Sequence, residues 1–402
     1  MKLEDLIKRE KFPDIFCATI SKYLQQTSSW SGSVVWGSHG GHNDLNFLVN
    51  TKLNLIYPAF TPQKDLIPLV AEYVFHTNLL RRWAQNAYIL LALHPLLRPF
   101  FSPLKLHITD KPSITTNMCI LPGNHSIRVV NLDQNECVVI SKEGFSGKKL
   151  KNAALARLTY PDLPGPKVLF FEMSCDWYVE ERIFGLPINR CAHQRDIDNA
   201  LAATKVFMTT MYQATSNSVN ATDYIRLKCT EINSAITSLP KCYEQADITY
   251  IANIITDLFN IAASVIENDS LISTSHTHGD FQDANILIPT ISDTRDVYII
   301  DWEYAGVRCQ HYDWFVYGLK SRSPKGLAVR INNLMFDSDH LRTLIDWYDL
   351  AEIDPKELRI LIYLFLIEEL LFRLDDTSIP NLPKKSEGFL TFIDELSLLT
   401  SS

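Results

Sequence analysis

The sequence predicts an α+β protein in which a β-rich region precedes a larger helical one. Three observations predict it. Between residues 117 and 183, short apolar runs recur with turns between them: NMCILP, SIRVVNL, CVVISKEG, VLFFEM and WYVEERI. From residue 196 onward, apolar residues return at spacings of three and four, the period of an amphipathic helix. Inside that helical half, HGDFQDANILI and YIIDWEYAG set dense polar chemistry against strand-like apolar runs.

The elements follow in order. Residues 1–112 read as a mixed α/β extension. It has helical patterning at 14–26, 67–80 and 82–93 and strand-like runs SVVWG (33–37) and NFLVN (46–50). The Gly-rich stretch between those runs, with His39, His42 and Asp44, has the composition of a tight hairpin turn, and a metal or phosphate turn is the competing reading. Residues 113–188 read as a small lobe: two strands joined by a loop holding Gly123, Asn124, His125 and Ser126, a third strand ending at Lys142, a helix at 148–158 and two further strands. After the linker GLPINR, residues 189–402 read as a helical lobe, with helices at 196–215, 248–268, 310–320, 340–350 and 355–375.

Composition bounds the function. The chain has 402 residues, 46% hydrophobic and 21% charged, which describes a globular protein with a sizeable core. Its net charge of −8, without a basic tract, argues against nucleic acid as a partner. The eight cysteines are scattered, without a CxxC pair, which points to reduced thiols in a cytoplasm-like compartment and away from disulfides or zinc. The most apolar stretch, AYILLALHPLLRPFF (87–101), is interrupted by His94, Pro95, Arg98 and Pro99 and is too short to span a bilayer. It reads as a buried helix. With Arg81 and Arg82 before it, peripheral membrane contact near 82–101 is the competing reading.

The chemistry lies in HGDFQDAN. Asp280 and Asn285 stand five residues apart, and the run that follows reads as a hairpin that returns the chain at Asp301. An amide and a carboxylate oxygen brought together suit magnesium, and Asp280 is left to accept a proton from an incoming hydroxyl. HGDFQDANILI followed by IIDWEYAG resembles the aminoglycoside phosphotransferase and choline kinase-like superfamily, relatives of the protein kinases. The resemblance covers residues 115–375.

It implies a two-lobed protein kinase-like fold using ATP and magnesium. Asp280 would be the catalytic base, His278 an organiser of the loop, and Asn285 and Asp301 the metal ligands. Asp313, in HYDWFVYG, would support the catalytic loop. Lys142 would touch phosphate beneath the loop of Gly123, Asn124, His125 and Ser126, and the base would lie against the backbone of Val179, Glu180, Glu181 and Arg182. The match weakens where the family carries a Glu on the small-lobe helix, because Ala153 stands there. Lys142 is then expected to lack a partner or to borrow Glu143 or Glu172.

The acidic run Glu368, Glu369, Asp375 and Asp376, with Trp302 and Tyr304, suggests a cationic acceptor surface. The expected activity is transfer of the γ-phosphate to a hydroxyl of a small molecule resembling an aminoglycoside, choline or a sugar. A kinase or nucleotidyltransferase acting on a protein target, or a pseudokinase module that only binds, are the alternatives.

Overall fold

The computed structural model describes residues 3–37, 40–41, 44–74, 79–110, 112, 117–266, 270–290, 297–336, 353–377 and 384–401. It is α+β, as the sequence predicts, and falls into two compact units. The first comprises Met1–Ala203 with Ile286–Glu303, and the second Thr204–Asn285 with Tyr304–Ser402.

The first unit begins with helices α1 (Leu3–Arg9) and α2 (Phe12–Thr27). Strands β1 (Val34–Trp36), β2 (Leu45–Asn50) and β3 (Leu55–Pro58) follow, then α3 (Gln63–Leu66), a 3-10 stretch (Ile67–Val74), α4 (Leu79–Leu93), α5 (Arg98–Phe101) and β4 (Leu104–Ile108). Next come β5 (Met118–Pro122), β6 (Ser126–Asn131), β7 (Glu136–Ser141), α6 (Lys148–Thr159), β8 (Val168–Phe171) and β9 (Trp177–Glu181). All nine strands form one sheet, ordered β1-β4-β2-β3-β5-β6-β7-β9-β8.

The boundary expected near residue 112 therefore does not interrupt the sheet. Strand β3 pairs with β5 through Ile56 and Ile120, so the N-terminal strands extend the sheet of the small lobe and cover what would be its open edge. SVVWG and NFLVN do not form a hairpin either. Strand β4, unread in the sequence, lies between them, and its Ile108 faces Val34 on one side and Leu45 on the other. His39 and His42 lie outside the described residues, and Asp44 Oδ2 accepts from Gly41 N at 2.6 Å, a local turn.

The N-terminal half of the sheet is buried on both faces, and successive side chains alternate between them. Phe47, Val49, Ile56, Met118 and Ile120 pack with Leu3, Leu6, Phe12 and Phe16 of α1 and α2. Leu48, Leu55, Tyr57 and Cys119 pack on the opposite side with Leu66, Val70, Ile89 and Leu93.

Helix α4 is not the buried helix expected. It buries Ile89, Ala92 and Leu93, while Leu79, Leu80, Trp83, Leu90 and Leu91 on its other face are exposed. The apolar pattern there was real, but only one stripe meets the sheet.

The first unit closes with β10 (Gly185–Pro187), which pairs with β13 (Ile286–Pro289), which in turn pairs with β14 (Tyr298–Ile299). The expected hairpin is present, in register Ile286↔Ile299, and its turn at 291–296 is outside the described residues.

The chain passes from the first unit to the second within α7 (Gln194–Thr215). The second unit holds β11 (Asn217–Asn220), α8 (Ala221–Thr237), α9 (Gln245–Val265), β12 (Leu271–Thr277), β15 (Gly306–Cys309), α10 (Tyr312–Gly318), α11 (Leu327–Phe336), α12 (Pro355–Thr377) and α13 (Glu387–Thr400). Sequence reading missed α8, α11 and α13, and the helix expected at 340–350 lies outside the described residues. Helix α12 is buried nearly all round and is the axis of a core that α8, α9, α10 and α13 complete. By length and composition α9 is apolar enough to cross a membrane; in this fold it buries Ile251, Ile254, Ile255 and Leu258 in that core.

Candidate active site

In the second unit, β12 delivers the chain into HGDFQDAN. The loop is held by one carboxylate. Asp313, fully buried on α10, accepts from His278 N at 2.7 Å, Gly279 N at 2.8 Å and the Tyr212 hydroxyl at 2.9 Å. Gly279 has φ +85°, and a Cβ there would stand 2.1 Å from the Tyr304 carbonyl oxygen. Only glycine takes both that dihedral and that approach without strain. His278 is buried, and its Nδ1 accepts from Asp280 N at 3.2 Å, so the ring braces the turn that presents Asp280.

Asp280 and Asn285 meet as the sequence spacing suggested. Asn285 Nδ2 donates to the Asp280 carbonyl at 2.8 Å and to Asp280 Oδ2 at 3.2 Å. The other carboxylate oxygen, Oδ1, accepts from Arg322 Nε at 2.5 Å. Sequence reasoning missed Arg322, which also donates to the Gly279 carbonyl and to Glu369 Oε2, both at 2.5 Å, and lies over the Phe372 ring with its guanidinium carbon 3.5 Å from the centroid. The arginine thus ties the loop to α12.

In the first unit, Asp301 follows β14 with φ +63°, a left-handed conformation that few non-glycine residues adopt. Strain of this kind gathers at functional positions. Its Oδ1 accepts from Arg128 Nη2 on β6, and the carboxylate holds that guanidinium well above its ordinary pKa.

Taken singly, Asn285 and Asp301 each offer an oxygen of the kind a hard cation takes. Both Asn285 amide donors turn to Asp280, so its Oδ1 remains an acceptor, and Asp301 offers a carboxylate. Trp302 and Tyr304 do not form a cation–π surface for an acceptor. Both are buried; Trp302 Nε1 donates to Ile299 O at 2.8 Å, and the Tyr304 hydroxyl donates to Asp376 Oδ1 at 3.0 Å.

Lys142, at the end of β7, is fully enclosed, and burial pushes its ammonium down to about 8. It does not lack a carboxylate. Nζ stands 2.5 Å from Glu10 Oε1, at the junction of α1 and α2. Glu143 and Glu172, the partners anticipated from sequence, are used elsewhere: Glu143 pairs with Lys22, and Glu172 accepts from Ser174. Ala153 is buried on α6, whose buried ion pair runs instead from Arg157 to Glu180 on β9.

Gly123 N bonds to Ser126 O at 3.0 Å and closes the β5–β6 loop; Asn124 O accepts from Lys142, and His125 Nε2 lies 3.3 Å from Lys149 Nζ. Along the segment expected to meet the base, Val179 and Glu180 are paired in the ladder with both β7 and β8, while Glu181 N and Arg182 N donate to Lys167 O and Asn135 O.

The acidic face expected on α12 is a surface only in part: Asp375 is exposed and Asp376 half-buried. Glu368 and Glu369 are buried, the first bonded to the Tyr224 hydroxyl and Cys309 N, the second to Arg322, Arg373 and the Tyr312 hydroxyl. A helix buried all round must neutralise its own carboxylates, which sequence patterning does not reveal.

No protein-family model matches the chain, and no curated protein matches it by sequence. Among solved structures it is similar to choline kinase LicA from Streptococcus pneumoniae, at 15% identity and a TM-score of 0.46, covering 70% of this chain and 94% of that one. It is also similar to the GDP complex of wild-type aminoglycoside 2'-phosphotransferase-IIIa (13% identity, TM-score 0.43, 70% and 90% covered). A third likeness is to an ethanolamine kinase from Plasmodium vivax (14% identity, TM-score 0.41, 85% and 94% covered).

Proposed function

We propose that this protein is a phosphotransferase that moves the γ-phosphoryl group of ATP to a hydroxyl of a small molecule. The observation that carries the reading is the loop His278–Asn285, locked from beneath by Asp313, which presents a carboxylate and a carboxamide on one rigid turn. Phosphoryl transfer asks for positioning and charge stabilisation more than covalent chemistry, and a fixed loop of this kind supplies both.

Asp280 accepts the proton of the acceptor hydroxyl as its oxygen bonds to the γ-phosphorus. The bond from that phosphorus to the β–γ bridging oxygen breaks, and ADP leaves. Magnesium would neutralise phosphate charge; Asn285 in the second unit and Asp301 in the first each carry an oxygen of the kind that would hold it. Arg322 fixes the rotamer of Asp280 through Oδ1, and Oδ2, which accepts from Asn285 and Gln282, is the oxygen that takes the proton in this reading.

The direct test is Asp280→Asn. Nucleotide binding should survive, and turnover against a panel of hydroxyl acceptors should fall by orders of magnitude, roughly the 10²–10⁴-fold of a lost general base. Normal turnover by the variant would remove Asp280 from the reaction. A second reading, a module that binds nucleotide without turning it over, is favoured by the ion pairs Arg128–Asp301 and Arg322–Asp280, which already occupy two of the three acidic or amide positions. It predicts a thermal shift with ATP and no loss of ATP with any acceptor.

A further inference from the structure

We propose that Glu10 is the positioning carboxylate of Lys142, so that the N-terminal segment is a working part of the phosphate-binding apparatus. The inference rests on the phosphotransferase reading and adds to it a residue that no sequence motif marks. Glu10 lies between α1 and α2, whose Leu3, Leu6, Phe12 and Phe16 are buried against the same face of the sheet as Ile127 and Ile140. Helix α2 is fastened to the end of β7 by Thr19 Oγ1, which accepts from Glu143 N at 2.9 Å, and by Lys22, which pairs with Glu143 and Asp176. The carboxylate is therefore carried on a rigid support.

Around Lys142 Nζ stand Glu10 Oε1 at 2.5 Å and the Asn124 carbonyl at 2.8 Å, with the rings of Phe12 and Phe145 at 5.2 and 5.1 Å. An ammonium has three N–H bonds, and two acceptors are found for it among the described residues. Glu10 Oε2 pairs with Arg9 at 3.1 Å, and Arg9 donates to Asn124 Oδ1 at 3.4 Å and to Asn124 O at 3.3 Å.

Arg9, Lys142 and Lys149 thus meet the Glu10 carboxylate at the loop Gly123–Ser126, with Glu303 acting on Lys142 from farther off, an excess of cations that suits a polyphosphate. The ligand that a phosphate oxygen would replace is the neutral Asn124 carbonyl. Glu10 would stay and keep the ammonium aimed and protonated. The charged groups acting on Lys142 are Glu10, Arg9 and Glu303, with His125 and Lys149 beyond the loop.

The test is calorimetric binding of ATP with magnesium, and of adenosine, to the full chain and to Glu10→Gln across pH 6.5–9.5, with circular dichroism to check folding. The wild type should bind ATP, and its affinity should fall above pH 8 as Lys142 gives up its proton. Glu10→Gln should weaken ATP by about tenfold or more, the loss of one charge-assisted contact. It should leave adenosine within about twofold and move the alkaline limb to lower pH. If Glu10→Gln does not fold, Glu10→Asp keeps the charge at a shorter reach, and the same selective loss of ATP over adenosine is expected. Equal ATP affinity and an unmoved limb in either folded variant would remove Glu10 from the site. A wild type that binds adenosine but not ATP, or neither, would overturn the phosphotransferase reading and the role of Glu10 with it.

Discussion

Replacing Asp313 by Ala should unfold the loop before it touches any chemistry. The buried carboxylate accepts from His278 N, Gly279 N and the Tyr212 hydroxyl at 2.7, 2.8 and 2.9 Å. Alanine offers no acceptor, and the position is fully buried. Each buried donor left unpaired costs about 1–3 kcal/mol. Three of them sum to roughly 3–6 kcal/mol after allowance for local relaxation, a large part of the ~5–15 kcal/mol that ordinary domains possess.

Urea unfolding measures that loss. Amide hydrogen exchange separates it from a general loosening, because His278 and Gly279 should lose protection out of proportion to the strands β12 and β15. Asp313→Asn keeps the shape but turns an N–H group toward donors, and should fall between wild type and Asp313→Ala. A loss below about 1 kcal/mol with unchanged protection at residues 278 and 279 would refute the account of how the loop is held.

Three further outcomes are expected. Gly279→Ala meets both a φ of +85° and the Tyr304 carbonyl at 2.1 Å, and should lower the urea midpoint by the equivalent of at least about 1–3 kcal/mol; an unchanged midpoint would mean the turn is not as tight as described. Burial pushes Glu368 up to about 7 from its ordinary 4.5, so between those values the folded protein keeps a proton that the unfolded chain has released. Stability should therefore fall as pH rises from 4.5 to 7 and level off above, and urea midpoints of Glu368→Gln should lose that part of the slope. Arg128→Gln frees Asp301 from its ion pair, so magnesium chloride alone should raise the melting temperature of this variant more than that of wild type, and equal shifts would show that Arg128 does not compete for the carboxylate.

What could be read in the sequence and what could not divide along sequence separation. The loop chemistry is local: His278, Asp280 and Asn285 lie within eight residues, and the turn that joins them is fixed by Gly279 beside them. The strands β5 to β9 were legible because each is a short apolar run between turn residues. The charges that complete the site come from far away. Glu10 reaches Lys142 over 132 positions, Arg128 reaches Asp301 over 173, and Arg322 reaches Asp280 over 42. No periodicity marks such a partner. Helix α12 misled for a related reason, since Glu368 and Glu369 look like a solvated face until the helix is seen to be enclosed.

A physical constraint nevertheless narrows the search. A fully buried ammonium or carboxylate is too costly to stand alone, so placing Lys142 inside a lobe already requires an acid within reach. With Ala153 on α6 and with Glu143 and Glu172 engaged elsewhere, that acid is Glu10, from outside the small lobe as the motifs define it. The extension of residues 1–112 was the stretch without an assigned role. The junction of its first two helices supplies the missing charge, and its strands cover the edge of the same sheet. Both facts concern one lobe: the extension packs Leu3, Leu6, Phe12 and Phe16 on the face that carries Ile127 and Ile140, and it supplies the carboxylate of Lys142, so it completes core and electrostatics together.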